Sequence, residues 1–239
     1  MKNILIDILQ AKKNGQKLLA ILVDPDKINL TTVDGLVKNI NHSPATHLLV
    51  GGSIVQSDVL DQVIEIFRSK TTLPVVLFPG DPSQISRLAH GILFLNLISG
   101  RNSTYLIDFQ VQAAPLLVRT DLEVIPTAYL LIDGDRQSAV ELVSNTKPMP
   151  QKDLQHIVNT AKAGEFMGNR LVYLEAGSGA KAVVSPRIIA SVSQALSIPV
   201  IVGGGIRSYT QAKNAFDSGA DMVVIGTAFE DNPEFFASF

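Results

Sequence analysis

The feature that most constrains this fold is a regular alternation of two kinds of segment. Short apolar runs, rich in β-branched residues and without polar alternation, are typical of strands buried on both faces. About eight such runs occur, at residues 18–23, 47–50, 75–78, 92–97, 124–129, 171–174, 199–202 and 222–225. Amphipathic stretches with helical spacing lie between most of them, at residues 33–41, 57–69, 103–118, 151–163, 186–196 and 209–218. This pattern predicts a (β/α)₈ TIM barrel that forms one domain over residues 1–239.

An open doubly wound sheet would also alternate strands and helices. Its dinucleotide-binding form carries a glycine-rich turn after the first strand, whereas this chain has Asp-Pro-Asp-Lys at residues 24–27, which favours the barrel.

One unit of the barrel is irregular. Because only residues 81–90 separate the third strand from the fourth, we expect the third helix to be short or replaced by a loop. A long polar excursion at residues 131–151 follows the fifth strand.

Composition excludes several classes of function. The formal net charge of -2 provides no global basic field that could hold nucleic acid. The absence of cysteine rules out disulfides, thiolate metal sites and a cysteine nucleophile. No apolar run approaches the roughly 18 residues that a membrane-spanning helix needs. Asp7 interrupts the apolar run at residues 4–9, so we expect no signal peptide and a cytoplasmic protein.

Two glycine-rich turns mark the end of the predicted barrel where such enzymes carry their chemistry. Gly203, Gly204 and Gly205 follow the seventh strand, and Gly226 with Thr227 follows the eighth. Glycine lets the backbone approach an anion closely, and free N–H groups at the start of a helix point at the same anion. The two turns predict a phosphate site. The alternative is a pair of tight turns without a ligand.

A third informative segment ends the sixth strand. Glu175 lies where it can accept a proton from a substrate hydroxyl, and partial burial would raise its pKa towards a useful range. Gly177, Ser178 and Gly179 add backbone N–H groups and a hydroxyl to the predicted anion site. The alternative is a salt-bridged Glu175 beside a Tyr173 that packs at the edge of the core.

Asp24 and Ser53 follow the first and second strands. Their oxygens are hard ligands that suit a partly hydrated Mg²⁺, which takes its remaining ligands from substrate phosphates. Alternatively, Asp24 caps the turn before Pro25 and Ser53 caps the next helix. Spacing alone slightly favours these capping roles. Arg101, after the fourth strand, either contacts a diphosphate or is an exposed rim residue.

Taken together, these segments resemble the geranylgeranylglyceryl phosphate synthase family of prenyltransferases, also called the PcrB-like family. The resemblance runs nearly end to end and is carried by residues 23–27, 50–53, 94–102, 173–179 and 203–208. Tyr-Leu-Glu at 173–175 combined with Asp-Pro-Asp-Lys is its most specific part, because many phosphate-binding barrels share the glycine triplet. Ala-Gly-Ser-Gly at 176–179 resembles the second group of the family. The first group has a lysine where this chain has Leu22.

The resemblance implies a Mg²⁺-dependent enzyme of ether-lipid biosynthesis. It would join sn-glycerol 1-phosphate to a polyprenyl diphosphate, expected to be geranylgeranyl diphosphate, with the tail in a groove where the third helix is missing. Glu175 would be the catalytic base, and Asp24 and Ser53 the metal ligands. A homo-oligomer and transient contact with a bilayer are also expected. The implied glycerol phosphate site comprises Tyr173, Leu174, Glu175, Ala176, Gly177, Ser178, Gly179, Gly204, Gly205, Gly226 and Thr227.

Three other functions remain open at this point. A sugar-phosphate isomerase or cyclase barrel of histidine or tryptophan biosynthesis would share the phosphate turns, but the histidine-pathway barrels need a second acid after strand five. Asp133 lies beyond that rim position. A prenyltransferase that uses phosphoglycerate as acceptor is the second alternative. A barrel that binds phosphorylated metabolites without catalysis is the third.

Overall fold

The eight predicted strands close into a parallel barrel. The computed structural model describes residues 3–53, 55, 57–232 and 235–238. Its strands follow chain order around the barrel, and the first pairs with the last, which confirms the TIM barrel. The strands are β1 (Leu18–Val23), β2 (His47–Val50), β3 (Val75–Leu77), β4 (Gly91–Leu97), β5 (Glu123–Leu131), β6 (Leu171–Glu175), β7 (Val200–Gly203) and β8 (Met222–Ile225).

Helices surround the barrel, and several begin at the signals that their sequences carry. Ser185 accepts a hydrogen bond from the Ile188 N–H and Pro186 follows it, while Ser208 accepts one from the Gln211 N–H. The α-helices are α1 (Ile4–Lys13), α2 (Val33–His42), α3 (Ser57–Lys70), α4 (Phe109–Leu117), α5 (Ala139–Ser144), α6 (Leu154–Phe166), α7 (Pro186–Ala195), α8 (Tyr209–Asp217) and α9 (Thr227–Asp231). None of the helices described is both long and apolar enough to cross a membrane.

The strands bury both faces, which explains their continuously apolar sequences. On β1, Ala20 packs inside the barrel, whereas Ile21 packs outside against the helices. The same alternation places Tyr173 inside and Leu174 outside on β6. Glu175, which is in phase with Tyr173, therefore points into the mouth of the barrel.

The amino-terminal helix α1 closes the opposite end of the barrel. The carboxylate of Glu123, at the start of β5, accepts hydrogen bonds from the N–H groups of Ile4 (2.6 Å) and Leu5 (2.8 Å). Ile4 and Ile8 are buried in the interior cluster of the barrel. Within the apolar run at residues 4–9, Ile4 and Ile8 thus face the core, whereas Ile6 is 59% exposed.

The connection between β3 and β4 lacks a full helix, as predicted. It contains only a 3₁₀ turn at Pro82–Gln84, and the Gln84 side chain accepts a hydrogen bond from the Gly80 N–H (3.1 Å). The helix predicted at residues 103–118 is instead divided into a π-helical segment, Thr104–Asp108, and α4. The polar excursion after β5 contains the short helix α5. These three connections form one side of the barrel mouth.

Candidate active site

The carboxyl ends of the strands surround a cavity of about 390 Å³. This size is typical of a pocket for a small molecule. The lining brings together residues on or just after seven strands, which are far apart in sequence. It includes the predicted site residues Asp24, Ser53, Tyr173, Glu175, Ser178, Gly179, Gly204, Gly205, Gly226 and Thr227.

Three predicted site residues, Leu174, Ala176 and Gly177, do not line this cavity. The side chains of Leu174 and Ala176 pack in the layer between the barrel and its helices. The Ala176 N–H donates to the Gly203 carbonyl (3.0 Å), and the Gly177 N–H donates to the Glu175 carboxylate (2.6 Å). Within residues 173–179, four residues thus line the cavity, namely Tyr173, Glu175, Ser178 and Gly179, and the other three do not.

Glu175 is a buried carboxyl group with one hydrogen-bonded oxygen. Glu175 is only 6% exposed, and its Oε1 accepts a 2.6 Å hydrogen bond from the Gly177 N–H. Burial raises the pKa of Glu175 to about 7, although the Gly177 N–H acts in the opposite direction. None of the ion pairs within the described residues involves Glu175. This environment matches a general base that works near neutral pH.

Three aromatic rings lie beside this carboxyl group. The ring centroids of Tyr173 lie 5.4 Å from those of Phe78 and Tyr129, which are 6.0 Å from each other. Burial, and then the charge of Glu175, raise the pKa values of both tyrosines well above the ordinary value. The buried Tyr173 hydroxyl makes no hydrogen bond of good geometry in the described part of the chain, but it interacts with Glu175 and lowers the pKa of that carboxyl group. A ligand that enters the cavity can accept from this neutral donor in place of Glu175.

The glycine triplet makes room for Tyr173 and Glu175 as well as for an anion. A Cβ at Gly203 would overlap the Tyr173 hydroxyl and lie 3.0 Å from Glu175 Oε2. A Cβ at Gly204 would overlap Glu175 Oε1, and the φ of Gly204 is +84°. Larger residues are therefore excluded by the buried carboxyl group itself, which the sequence pattern did not indicate.

The two predicted walls of the anion site meet at the barrel mouth. Ser178 Oγ and Thr227 Oγ1 form a 3.0 Å hydrogen bond that joins the loop after β6 to the turn after β8. Gly226 precedes α9, and a Cβ at Gly226 would lie 3.6 Å from Leu22. Leu22 thus lies against the turn after β8, at the position where the first group of the family has a charged lysine. Backbone N–H groups of glycine-rich turns such as these are suited to an anion.

Asp24 has the predicted capping role and also faces the cavity. Its Oδ1 accepts a hydrogen bond from the Asp26 N–H (3.1 Å) and caps the 3₁₀ turn Pro25–Lys27. Burial raises the pKa of Asp24, partly offset by the Asp26 N–H and by Lys27, whose Nζ lies 3.7 Å from Oδ2. The two roles that the sequence left as alternatives are therefore compatible at this residue.

The surroundings of Asp24 fit a partly hydrated Mg²⁺. A Cβ at Gly52 would lie 3.5 Å from both carboxylate oxygens, so the glycine leaves space beside them, and Ser53 lines the same cavity. The described ranges contain no group of three or more histidine or acidic side chains that could hold a metal. This donor set suits an ion that completes its shell with water and substrate oxygens.

An apolar groove opens beside the connection between β3 and β4, which lacks a full helix. It runs between the loop of residues 78–82 and α4, and the two cavities share residues such as Ser53, Phe78 and Tyr129. The sequence did not indicate that Phe78, Tyr129, Tyr105 and residues of α4 would line this groove. The rim position of Phe78 after β3 was a usable signal. Arg101 lines neither cavity and donates to the Gly100 carbonyl (2.6 Å).

Comparison with known proteins agrees with this geometry. The model of the PcrB family matches residues 10–238. A geranylgeranylglyceryl phosphate synthase of Flavobacterium johnsoniae is 56% identical over 231 residues, which cover 97% of this chain and 95% of that protein. The crystal structure of (S)-3-O-geranylgeranylglyceryl phosphate synthase from Thermoplasma acidophilum in complex with substrate sn-glycerol-1-phosphate has a TM-score of 0.93. It is 35% identical and covers 100% of this chain and 96% of its own.

A more distant likeness shows the fold alone. A mutant tryptophan synthase α-subunit from Pyrococcus furiosus has a TM-score of 0.59 at 12% identity, covering 92% of this chain and 93% of its own. At that identity the comparison says nothing about activity. The family model and the similarity to the Flavobacterium protein, by contrast, span almost the whole sequence, and on this evidence the chain belongs to the PcrB family.

Proposed function

We propose that this chain transfers a polyprenyl group from its diphosphate to the 3-hydroxyl of sn-glycerol 1-phosphate. The observation that carries the proposal is the junction of two cavities of different character beside Glu175. A polar cavity bordered by the turns after β6, β7 and β8 suits glycerol phosphate, and an apolar groove suits a prenyl tail. The names of the relatives, and the bound substrate of the Thermoplasma enzyme, support the same reaction. The proposed donor is geranylgeranyl diphosphate.

Glycerol phosphate would lie with its phosphate against the turns after β6, β7 and β8. Backbone N–H groups and the hydroxyls of Ser178 and Thr227 are available there. The glycerol 3-hydroxyl would then extend towards Glu175 and Tyr173, which lie deeper in the cavity. Such positioning can supply several kcal/mol of the barrier, because both reacting groups are already held together.

The reaction forms one carbon–oxygen bond and breaks another. The glycerol 3-hydroxyl oxygen attacks C1 of the prenyl group, and the C1–O bond to the diphosphate breaks with its electron pair leaving on the diphosphate. Glu175 accepts the hydroxyl proton. Because Oε1 already accepts the Gly177 N–H, Oε2 is the oxygen assigned to this step. With a pKa of about 7, Glu175 is both ionised in part and basic enough near neutral pH.

Asp24 and Ser53 are the residues that would hold Mg²⁺. When bound, the ion supplies neutralisation of the negative charge on the leaving diphosphate. Asp24 contributes a carboxylate whose ionised form Lys27 favours, and Gly52 leaves the space beside it. Titration of activity with Mg²⁺ tests this assignment, because Asp24→Asn is expected to weaken the dependence on the metal.

The alternative isomerase or cyclase function lacks one of its required groups. Asp133, the carboxylate nearest the end of β5 in sequence, does not line the cavity and instead accepts a hydrogen bond from the Asp135 N–H (2.9 Å). A second carboxylate is therefore not available at the rim position after strand five. This observation favours prenyl transfer over the histidine-pathway chemistry.

Product mass tests the proposal directly. The protein is incubated with Mg²⁺ and prenyl diphosphates of several lengths. Three acceptors are compared in separate reactions: the two enantiomers of glycerol 1-phosphate, and phosphoglycerate. We expect an ether product with sn-glycerol 1-phosphate and an equal amount of released diphosphate. Product from phosphoglycerate alone would contradict the proposed acceptor. Tight glycerol phosphate binding without diphosphate release would contradict catalysis.

A further inference from the structure

Two cationic side chains line the polar cavity among the residues described, Lys27 and Arg207. Arg207 Nη1 donates to the backbone carbonyls of Ala180 (2.7 Å) and Gly205 (3.5 Å). One nitrogen of this guanidinium thus joins the loops after β6 and β7. Lys27 is different, because its ammonium group contacts two carboxylates at the rim of the cavity.

Lys27 lies between two acidic residues from distant parts of the chain. Its Nζ is 2.8 Å from Glu230 Oε2 and 3.7 Å from Asp24 Oδ2. Its side chain is 54% exposed. A lysine ammonium has three N–H donors in a rotatable group, so this arrangement leaves donor capacity for an anion in the cavity.

Both carboxylate oxygens of Glu230 accept hydrogen bonds from the loop after β1. Oε2 accepts from Lys27 Nζ, and Oε1 accepts from the Asp24 N–H (3.0 Å). Its side chain is only 15% exposed. Because Glu230 lies on α9, it ties the loop after β1 to the helix that follows the predicted phosphate turn. It also holds Lys27 closer to itself than to Asp24, which keeps the Asp24 carboxylate accessible.

We propose that Lys27 binds the diphosphate of the prenyl substrate and that Glu230 is the positioning residue that holds Lys27 and Asp24 for this task. The inference rests on the proposed function. A diphosphate that contacts the Asp24 site lies within reach of an ammonium only 3.7 Å from that carboxylate. Charge-assisted contacts to phosphate oxygens are among the stronger hydrogen bonds in proteins. Lys27 would therefore stabilise the charge that develops on the leaving group.

A purely structural ion pair would give different results from a substrate contact. Half-exposed ion pairs contribute little to folding stability. If Lys27 only joined two loops, its loss would change unfolding slightly and would affect both substrates equally. If it binds diphosphate, its loss acts on one substrate and leaves glycerol phosphate binding unchanged.

The experiment compares Lys27→Met, Lys27→Arg and Glu230→Gln with a matched control, Lys213→Met. Lys213 is 55% exposed and pairs with Asp217 on α8, outside the cavity. Calorimetry measures binding of inorganic diphosphate and of sn-glycerol 1-phosphate, with and without Mg²⁺. Steady-state kinetics then give KM for each substrate, and thermal unfolding reports folding.

We expect Lys27→Met to weaken diphosphate binding about 10- to 100-fold and to raise KM for the prenyl diphosphate. Lys27→Arg should retain part of this binding, and Glu230→Gln should lose about threefold or more because the lysine is no longer held. Glycerol phosphate binding and the Lys213→Met control should match the wild type. Unchanged diphosphate binding in Lys27→Met would overturn the inference, as would equal weakening of both ligands.

The same data separate this inference from the proposed function. If the wild-type protein forms the ether while Lys27→Met binds diphosphate normally, the role of Lys27 is wrong and the reaction stands. If the wild-type protein binds diphosphate through Lys27 but forms no ether, the anion site stands and the reaction is wrong. Absence of diphosphate binding in the wild-type protein would contradict the role of Lys27.

Discussion

At the scale of single residues, the chemistry of this site comes from what surrounds Glu175. A glutamate at the surface would be ionised throughout the neutral range, but burial raises the pKa of this carboxyl group to about 7. The same burial requires that Gly203 and Gly204 carry no side chain. One acidic side chain, two glycines and the buried Tyr173 hydroxyl thus form a single packed unit. Changing any of them is expected to alter catalysis.

Replacing Glu175 with glutamine removes the proposed proton acceptor while keeping its size. We expect Glu175→Gln to lose about 10²- to 10⁴-fold in kcat, the usual scale for a general base. Binding of glycerol phosphate should be retained, because the anion-binding turns are untouched. Steady-state kinetics and calorimetry on the same variant measure the two effects. Turnover equal to that of the wild type would show that another group accepts the proton.

The raised pKa of Glu175 also predicts a pH dependence of stability. Because its pKa in the folded state is above the ordinary value of 4.5, its contribution to stability is complete below about pH 4.5. The contribution is lost as the pH rises through about 7, and amounts to about 3 kcal/mol. Urea unfolding of the wild type and Glu175→Gln at about pH 4 and pH 8 should show this difference. A difference independent of pH would contradict a raised pKa.

Gly204 offers a test of the packed unit itself. Gly204→Ala places a methyl group against Glu175 Oε1 at a φ of +84°, so we expect a loss of stability of about 2 kcal/mol or more and a fall in kcat. Gly15→Ala is the matched control, because Gly15 has a φ of +68° and nothing within 4 Å of its added Cβ. The control should lose about 1 kcal/mol and keep full activity. Equal effects of the two substitutions would mean that backbone strain alone matters.

At the scale of elements, the absence of a full helix between β3 and β4 gives the barrel its apolar groove. The 3₁₀ turn Pro82–Gln84 occupies much less space than a helix, and α4 begins only after the π-helical segment Thr104–Asp108. The groove therefore lies between two irregular connections. The short spacing of residues 81–90 predicted the opening. The π-helical segment was not predictable, because its residues have an ordinary helical pattern.

Ala113 of α4 lines this groove and provides a test of its occupant. Ala113→Phe fills part of the groove, so we expect kcat/KM for a long prenyl diphosphate to fall by about tenfold or more relative to a shorter one. KM for glycerol phosphate should not change. Ala114→Phe, at the neighbouring exposed position, is the control. If Ala113→Phe leaves the preference for chain length unchanged, the tail binds elsewhere.

At the scale of the whole molecule, the sequence was sufficient to predict the barrel and most of its polar cavity. The continuous apolar runs predicted the strands, and the rim residues after them predicted the site, because parallel strands all end at one face. Phe78, Tyr129 and Glu230 were not identified. Their roles depend on which strand ends and helices lie next to each other, such as α9 returning to the loop after β1. Sequence spacing does not contain that information.

The account rests on two substrates meeting beside Glu175, and a ternary crystal structure tests this most directly. The protein would be crystallised with sn-glycerol 1-phosphate, Mg²⁺ and an unreactive thio-diphosphate analogue of the prenyl donor. We expect the glycerol 3-hydroxyl within hydrogen-bond distance of Glu175 Oε2, and the tail in the groove between residues 78–82 and α4. A tail outside that groove, or a 3-hydroxyl directed away from Glu175, would contradict the account.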